Sequence, residues 1–176
     1  MSKTTVLSIL DEALFREARA GNVRILYMAN TAIAKDDKGN TPLHYLAMHR
    51  KSVLGHSELA KVKNDMGITP LHVVACFFPD ALKHPEISNV MDNDGLTPLH
   101  TAAVHNIAGI EKHPLFREIK DNFGRTPLDY FNLNDLVFQL YFEIPTELTI
   151  PQIYDLIHTH AKDDEIIKLT NVGEGT

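Results

Sequence analysis

Apolar residues along the chain fall into columns rather than long runs. Leu59, Ile87 and Phe116 form one column, and Val62, Val90 and Ile119 form a second, three residues further on. Two apolar positions three apart suit a short helical turn that faces a common core. Another column, Leu43, Leu71, Leu99 and Leu128, lies just after a proline in each case and also reads as core. Ala47, Ala75 and Ala103 follow at helical spacing and allow close helix packing. The pattern predicts a series of short inner helices, each followed by a short outer segment.

The columns repeat because a sequence cassette repeats. Gly39-Asn-Thr-Pro-Leu-His44, Gly67-Ile-Thr-Pro-Leu-His72, Gly95-Leu-Thr-Pro-Leu-His100 and Gly124-Arg-Thr-Pro-Leu-Asp129 have threonines spaced 28, 28 and 29 residues apart. A fixed period of this kind signals stacked units, none of which can bury its apolar face alone. Within each cassette the glycine suits a tight turn with positive φ. Thr41, Thr69, Thr97 and Thr126 are helix N-caps, and proline fits the first helical position, where its missing N–H is not needed. Upstream, His56, His84 and His113 open aligned segments; His84-Pro and His113-Pro predict a truncated outer helix of one or two turns.

These residues resemble the ankyrin-repeat family. Its Asp-x-x-Gly-x-Thr-Pro-Leu-His-x-Ala-Ala signature is matched by Asp92-Asn-Asp-Gly-Leu-Thr-Pro-Leu-His-Thr-Ala-Ala103, and the copies from Asp36 and Asn64 match nearly as well. The segment Glu12–Asn22 resembles the first helix of an N-terminal repeat, so the resemblance covers residues 12–133. It implies an all-α solenoid of helix-turn-helix repeats joined by hairpin-like loops, with helical caps at both ends. The units are shorter than the roughly 33 residues usual in the family. The expected organisation is an N-terminal capping repeat over 1–35 and four short repeats over 36–133, starting near 36, 64, 92 and 121. A helical C-terminal cap over 134–170 and a flexible tail over 171–176 complete it. The resemblance further implies that His44, His72 and His100 tie each helix start to the neighbouring turn through their rings.

Composition narrows the function classes. Apolar residues make up 44 % of the 176, which suits a chain with a real core, and no apolar run approaches the ~20 residues that span a bilayer. The start, interrupted early by acids, reads as a mature intracellular N-terminus, and one cysteine, Cys76, fits a reducing compartment. A formal charge of −6 without a Lys/Arg cluster argues against nucleic acid. The expected location is cytoplasmic, with delivery into a host cell compatible with the same features.

Chemistry finds little purchase. The ten histidines invite a metal site, but the cassette histidines recur one per unit, about 10 Å apart if units stack like ordinary helices. That is too far to share a zinc with ligands at roughly 2.0–2.1 Å. His158 and His160 fall on opposite sides of a helix. Cys76 follows Val-Val-Ala and reads as a small buried hydrophobe. There is no Gly-rich phosphate loop, Gly-x-Ser-x-Gly or Cys-x-x-Cys. No enzyme activity, metal or cofactor is expected.

The resemblance places partner contact on the turn tips and the exposed side of the inner helices. The tip residues are Lys38 and Asn40, Met66 and Ile68, Asp94 and Leu96, and Phe123 and Arg125; the helix residues are Met48, Phe77, Val104 and His105. Met66, Ile68, Leu96 and Phe123 stand out because turn geometry needs no apolar side chain there, although shortened repeats could instead bury the tips against one another. The leading expectation is a non-enzymatic module, monomeric when unbound, that inhibits, sequesters or scaffolds another protein. The alternatives are a small-molecule or nucleotide binder, or a cryptic enzyme, with a pocket near residues 145–169, and a subunit that self-associates through its apolar tips.

Overall fold

The computed structural model describes residues 9–131, and among these the secondary structure is helical, without a strand. The expected C-terminal cap over 134–170, the His158/His160 pair, the pocket near 145–169 and the tail over 171–176 lie outside the described residues, as do the first eight.

Helix α1, Ile9–Arg19, carries Asp11 and Glu12 in its first turn and Arg16 and Arg19 in its last, an order that complements the helix dipole. Leu14, Phe15 and Ala18 are its buried face. It stops where Gly21, at φ +70°, donates its N–H to the Ala18 carbonyl at 2.9 Å.

The cassettes then form α2 (Pro42–Ala47), α3 (Pro70–Ala75), α4 (Pro98–Val104) and α5 (Pro127–Tyr130). Each begins with an extended threonine and a proline in the first turn, within a capping box. Leu43, Leu71 and Leu99 are wholly buried with Ala47, Ala75 and Ala103, and Leu59, Ile87 and Phe116 close the core from the other side. Val62, Val90, Ile119 and Leu128 are only half-buried. Consecutive helices pack in chain order, α1 on α2 through to α4 on α5. The return path is stitched to the helices by backbone bonds, with the N–H groups of Leu71, Leu99 and Leu128 donating to the carbonyls of Leu59, Ile87 and Phe116 at 3.0 Å.

The outer segments correct one expectation. Instead of starting an α-helix at His84-Pro or His113-Pro, the chain makes a 3₁₀ turn before each histidine, at Pro79–Lys83 and Ile110–Lys112, as at Lys51–Gly55. His56, His84 and His113 are extended, and each ring Nδ1 accepts the N–H two residues on, from Glu58, Glu86 and Leu115. A residue before proline is pushed out of the α region, and a side chain that bonds local backbone competes with helix formation. Only hydrogen-bonded turns follow. No helix among the described residues is long and apolar enough to cross a membrane.

Candidate functional site

Each tip is built by one side chain. Asp36 Oδ1 accepts the N–H groups of Lys38 and Asn40, both at 2.9 Å, and Asn64, Asp92 and Asp121 do the same for the residues two and four places on. Gly39, Gly67, Gly95 and Gly124 turn the chain at φ between +74° and +82°. Neighbouring tips are joined by backbone: Asp65 N–H donates to Lys38 O at 3.1 Å, Asn93 to Met66 O at 3.0 Å, and Asn122 to Asp94 O at 3.0 Å.

The cassette histidines connect tips to helices. In α2, His44 Nδ1 accepts the Thr41 N–H at 3.0 Å, so its Nε2 carries the proton and donates to Ile68 O at 3.0 Å. His72 bridges Thr69 and Leu96 O, and His100 bridges Thr97 and Arg125 O, in the same way. Burial pushes the His72 imidazole down to about 4, and pushes His44 and His100 down as well, so all three rings are neutral near pH 7. In the last cassette Asp129 caps the Thr126 N–H at 2.6 Å, but a carboxylate has no second nitrogen to reach a further turn.

Between the tips and α2–α4 lies a mostly apolar groove of about 200 Å³. It gathers eight of the residues expected at a partner site: Asn40, Met48, Met66, Ile68, Phe77, Asp94, Leu96 and His105. Met48, Met66 and Phe77 are exposed, and Phe77 stacks on His105 with ring centroids 6.3 Å apart. Burial alone holds His105 down at about 4. Lys38, Val104, Phe123 and Arg125 do not line the groove; Phe123 is exposed, with the Arg125 guanidinium 5.0 Å from its ring.

Two exposure expectations are corrected. Leu96 is 1 % exposed: its carbonyl takes the His72 proton and its side chain belongs to the buried apolar core. Val104 is 3 % exposed, because α4 runs through it into the core, whereas α2 and α3 stop at Ala47 and Ala75. Ile68, whose carbonyl serves His44 in the same way, is half-buried.

Sequence reasoning missed Tyr45, Val73, Asp92 and Thr101, which also line the groove. The signal was available: Tyr45, Val73, Thr101 and Tyr130 occupy one cassette column, nine residues after Asp36, Asn64, Asp92 and Asp121. Cys76 lines the groove too, but its thiol donates to His72 O at 3.3 Å and burial pushes it up to about 12, far from a nucleophilic thiolate. Among the described residues no group of three His, Cys, Asp or Glu side chains is placed to hold a metal ion.

No protein-family model matches the chain, and a search of the curated proteins finds no match.

Proposed function

We propose that this chain is a non-enzymatic binding module that engages another protein through the groove between its tips and inner helices. The observation that carries this reading is the position of that apolar groove. It spans three successive cassettes, with Met48, Met66 and Phe77 exposed along it and Asp94 at its edge. Apolar groups gathered in a concavity and rimmed by polar ones are the makeup of a recognition surface. The ankyrin-like cassette supports the same reading, since a solenoid of such repeats presents the tips and inner helices as one continuous concave face. Binding by occlusion then inhibits or sequesters the partner, in a reducing, cytoplasmic setting compatible with the lone Cys76.

The test is affinity capture with the purified full chain as bait, alongside a Met66→Asp/Phe77→Asp double variant. A stoichiometric protein partner held by the wild type and lost by the double variant is the expected result. Both positions are exposed, so the variant should unfold at the same temperature as the wild type. Undiminished capture by the folded double variant sinks the surface.

A further inference from the structure

The same turn position carries a carboxylate in three cassettes, and in two of them that carboxylate is matched to a tyrosine. Tyr45 Oη donates to Asp36 Oδ2 at 2.6 Å, and Tyr130 Oη donates to Asp121 Oδ2. In both, Oδ1 closes the turn and Oδ2 takes the phenol nine residues on. The second cassette has neither partner: Asn64 stands for the acid and donates to Asn40 Oδ1 at 2.8 Å, while Val73 stands for the tyrosine. The third cassette is the mismatch. Asp92 keeps the carboxylate, but the residue nine on is Thr101, whose hydroxyl turns back to the carbonyls of Pro98 at 2.9 Å and His72 at 3.2 Å. Asp92 Oδ1 accepts from Asp94 and Leu96 at 2.9 Å, and Oδ2 has no donor among the described residues. Asp92, Thr101 and Val73 all line the groove, so the open carboxylate and the two small members of the tyrosine column face the same space.

We propose that this space is a socket for a tyrosine side chain of the partner protein, whose hydroxyl donates to Asp92 Oδ2 as Tyr45 and Tyr130 donate to Asp36 and Asp121. The inference rests on the protein-binding reading above and names the anchor. The volume fits: the groove holds about 200 Å³, and apolar cavities of about 150 Å³ accept a benzene ring. The ring would lie among Met66, Val73 and Leu96, and a phenol is a side chain with an apolar body and one donor at its tip. Burial raises Asp92 to about 6, against the pull of its two backbone donors and of Lys63, and with Asp94 adding to the rise. A carboxylate in that condition is short of donors, and a phenol supplies one.

The experiment titrates the full-length ¹⁵N-labelled chain with N-acetyl-tyrosinamide and with N-acetyl-phenylalaninamide at pH 7.5, following backbone amide shifts. The tyrosine derivative should bind about tenfold more tightly and move the Asp94, Leu96 and Thr101 amides, because a hydrogen bond to a charged group is lost with the phenylalanine form. Asp92→Asn should erase the difference between the two; Asn64 shows that asparagine closes this turn equally well, accepting from Met66 and Ile68. Thr101→Tyr should fill the socket from within, abolish binding and raise the unfolding temperature. Equal affinity for the two derivatives, a preference that survives Asp92→Asn, or tighter binding of N-acetyl-lysinamide would each overturn the proposal. If partner capture by the groove succeeds while tyrosine selectivity is absent, only the anchor is wrong. If the selectivity holds while capture fails, the socket stands and the protein-binding reading falls.

Discussion

Gly95 and Gly124 have nearly the same backbone, φ +82° and +78°, but different neighbours. A Cβ on Gly95 would sit 2.5 Å from Asn122 Oδ1 and 2.7 Å from the Asn122 nitrogen, whereas among the described residues nothing lies within 4 Å of one on Gly124. Gly124→Ala should therefore cost only left-handed strain, about 1–2 kcal/mol, and Gly95→Ala should cost clearly more because two tips must part. Urea denaturation measures both, and equal losses would mean the tip contact carries no weight. The histidines set the acid response. His72 is held at about 4 in the folded chain against its ordinary 6.5, so between those values the unfolded chain binds the extra proton and stability falls as pH drops. His105 moves likewise to about 4, and His44 and His100 shift in the same direction. Asp92 works against them: raised from 3.8 to about 6, it is protonated sooner in the folded chain and favours acid pH within that window. With the half-buried His84 and His113 also lowered, six histidines against one carboxyl predict an unfolding temperature that declines from pH 6.5 towards 4. A flat or rising profile would contradict the neutral, doubly bonded rings.

At the scale of the element, the inner helices are too short to persist alone; α2 and α3 have six residues and α4 has seven. Local signals position them and packing holds them. Thr97→Ala removes a cap and should cost about 1 kcal/mol, while Leu99→Ala, at a wholly buried site between neighbouring units, should cost about 2–5 kcal/mol. Chemical denaturation gives the ratio; a Thr97 loss as large as that of Leu99 would mean that capping rather than burial dominates. The helix starts were legible because threonine, proline and histidine act within one turn. The outer segments were not, because their choice between α and 3₁₀ depends on competing local bonds from His56, His84 and His113. Column spacing marked them as apolar but could not resolve that contest.

At the scale of the whole molecule, packing among the described residues runs from each helix to the next. Met48, Met66 and Phe77 stay exposed along the groove and Phe123 at the last tip, while Ile9, Leu10, Val23, Tyr27, Met28, Ile33 and Met91 are exposed elsewhere. With Leu96 and Val104 withdrawn into the core, the exposed apolar residues at the groove are Met48, Met66 and Phe77, and Phe123 does not line it. Three exposed apolar side chains in a groove are too small an area to hold a stable dimer, so the unbound chain is expected to stay monomeric through this face. Sedimentation velocity across a hundredfold concentration range should give the mass of one chain throughout, and a concentration-dependent dimer that Met66→Asp/Phe77→Asp dissolves would favour the self-associating alternative. Eight of the twelve partner-site residues drawn from the sequence line one groove, since tip and helix positions repeat with the cassette. Of the four that do not, Val104 is withdrawn by the extra length of α4, while Lys38 belongs to the first tip and Phe123 and Arg125 to the last.

The chain's own sequence determined its period, the four capped helix starts, the left-handed glycine turns and the buried leucine and alanine columns. Each of these depends on residues a few positions apart. Tertiary structure alone decided which apolar tips stay exposed and where the groove opens. It also decided where Thr101, which stands in the column that holds Tyr45 and Tyr130, sends its hydroxyl: to the His72 carbonyl of the preceding unit. Those outcomes depend on contacts between residues about 24 to 29 positions apart, such as His72 with the Leu96 carbonyl and Thr101 with the His72 carbonyl. Distances of that kind exist only once one unit has packed against the next.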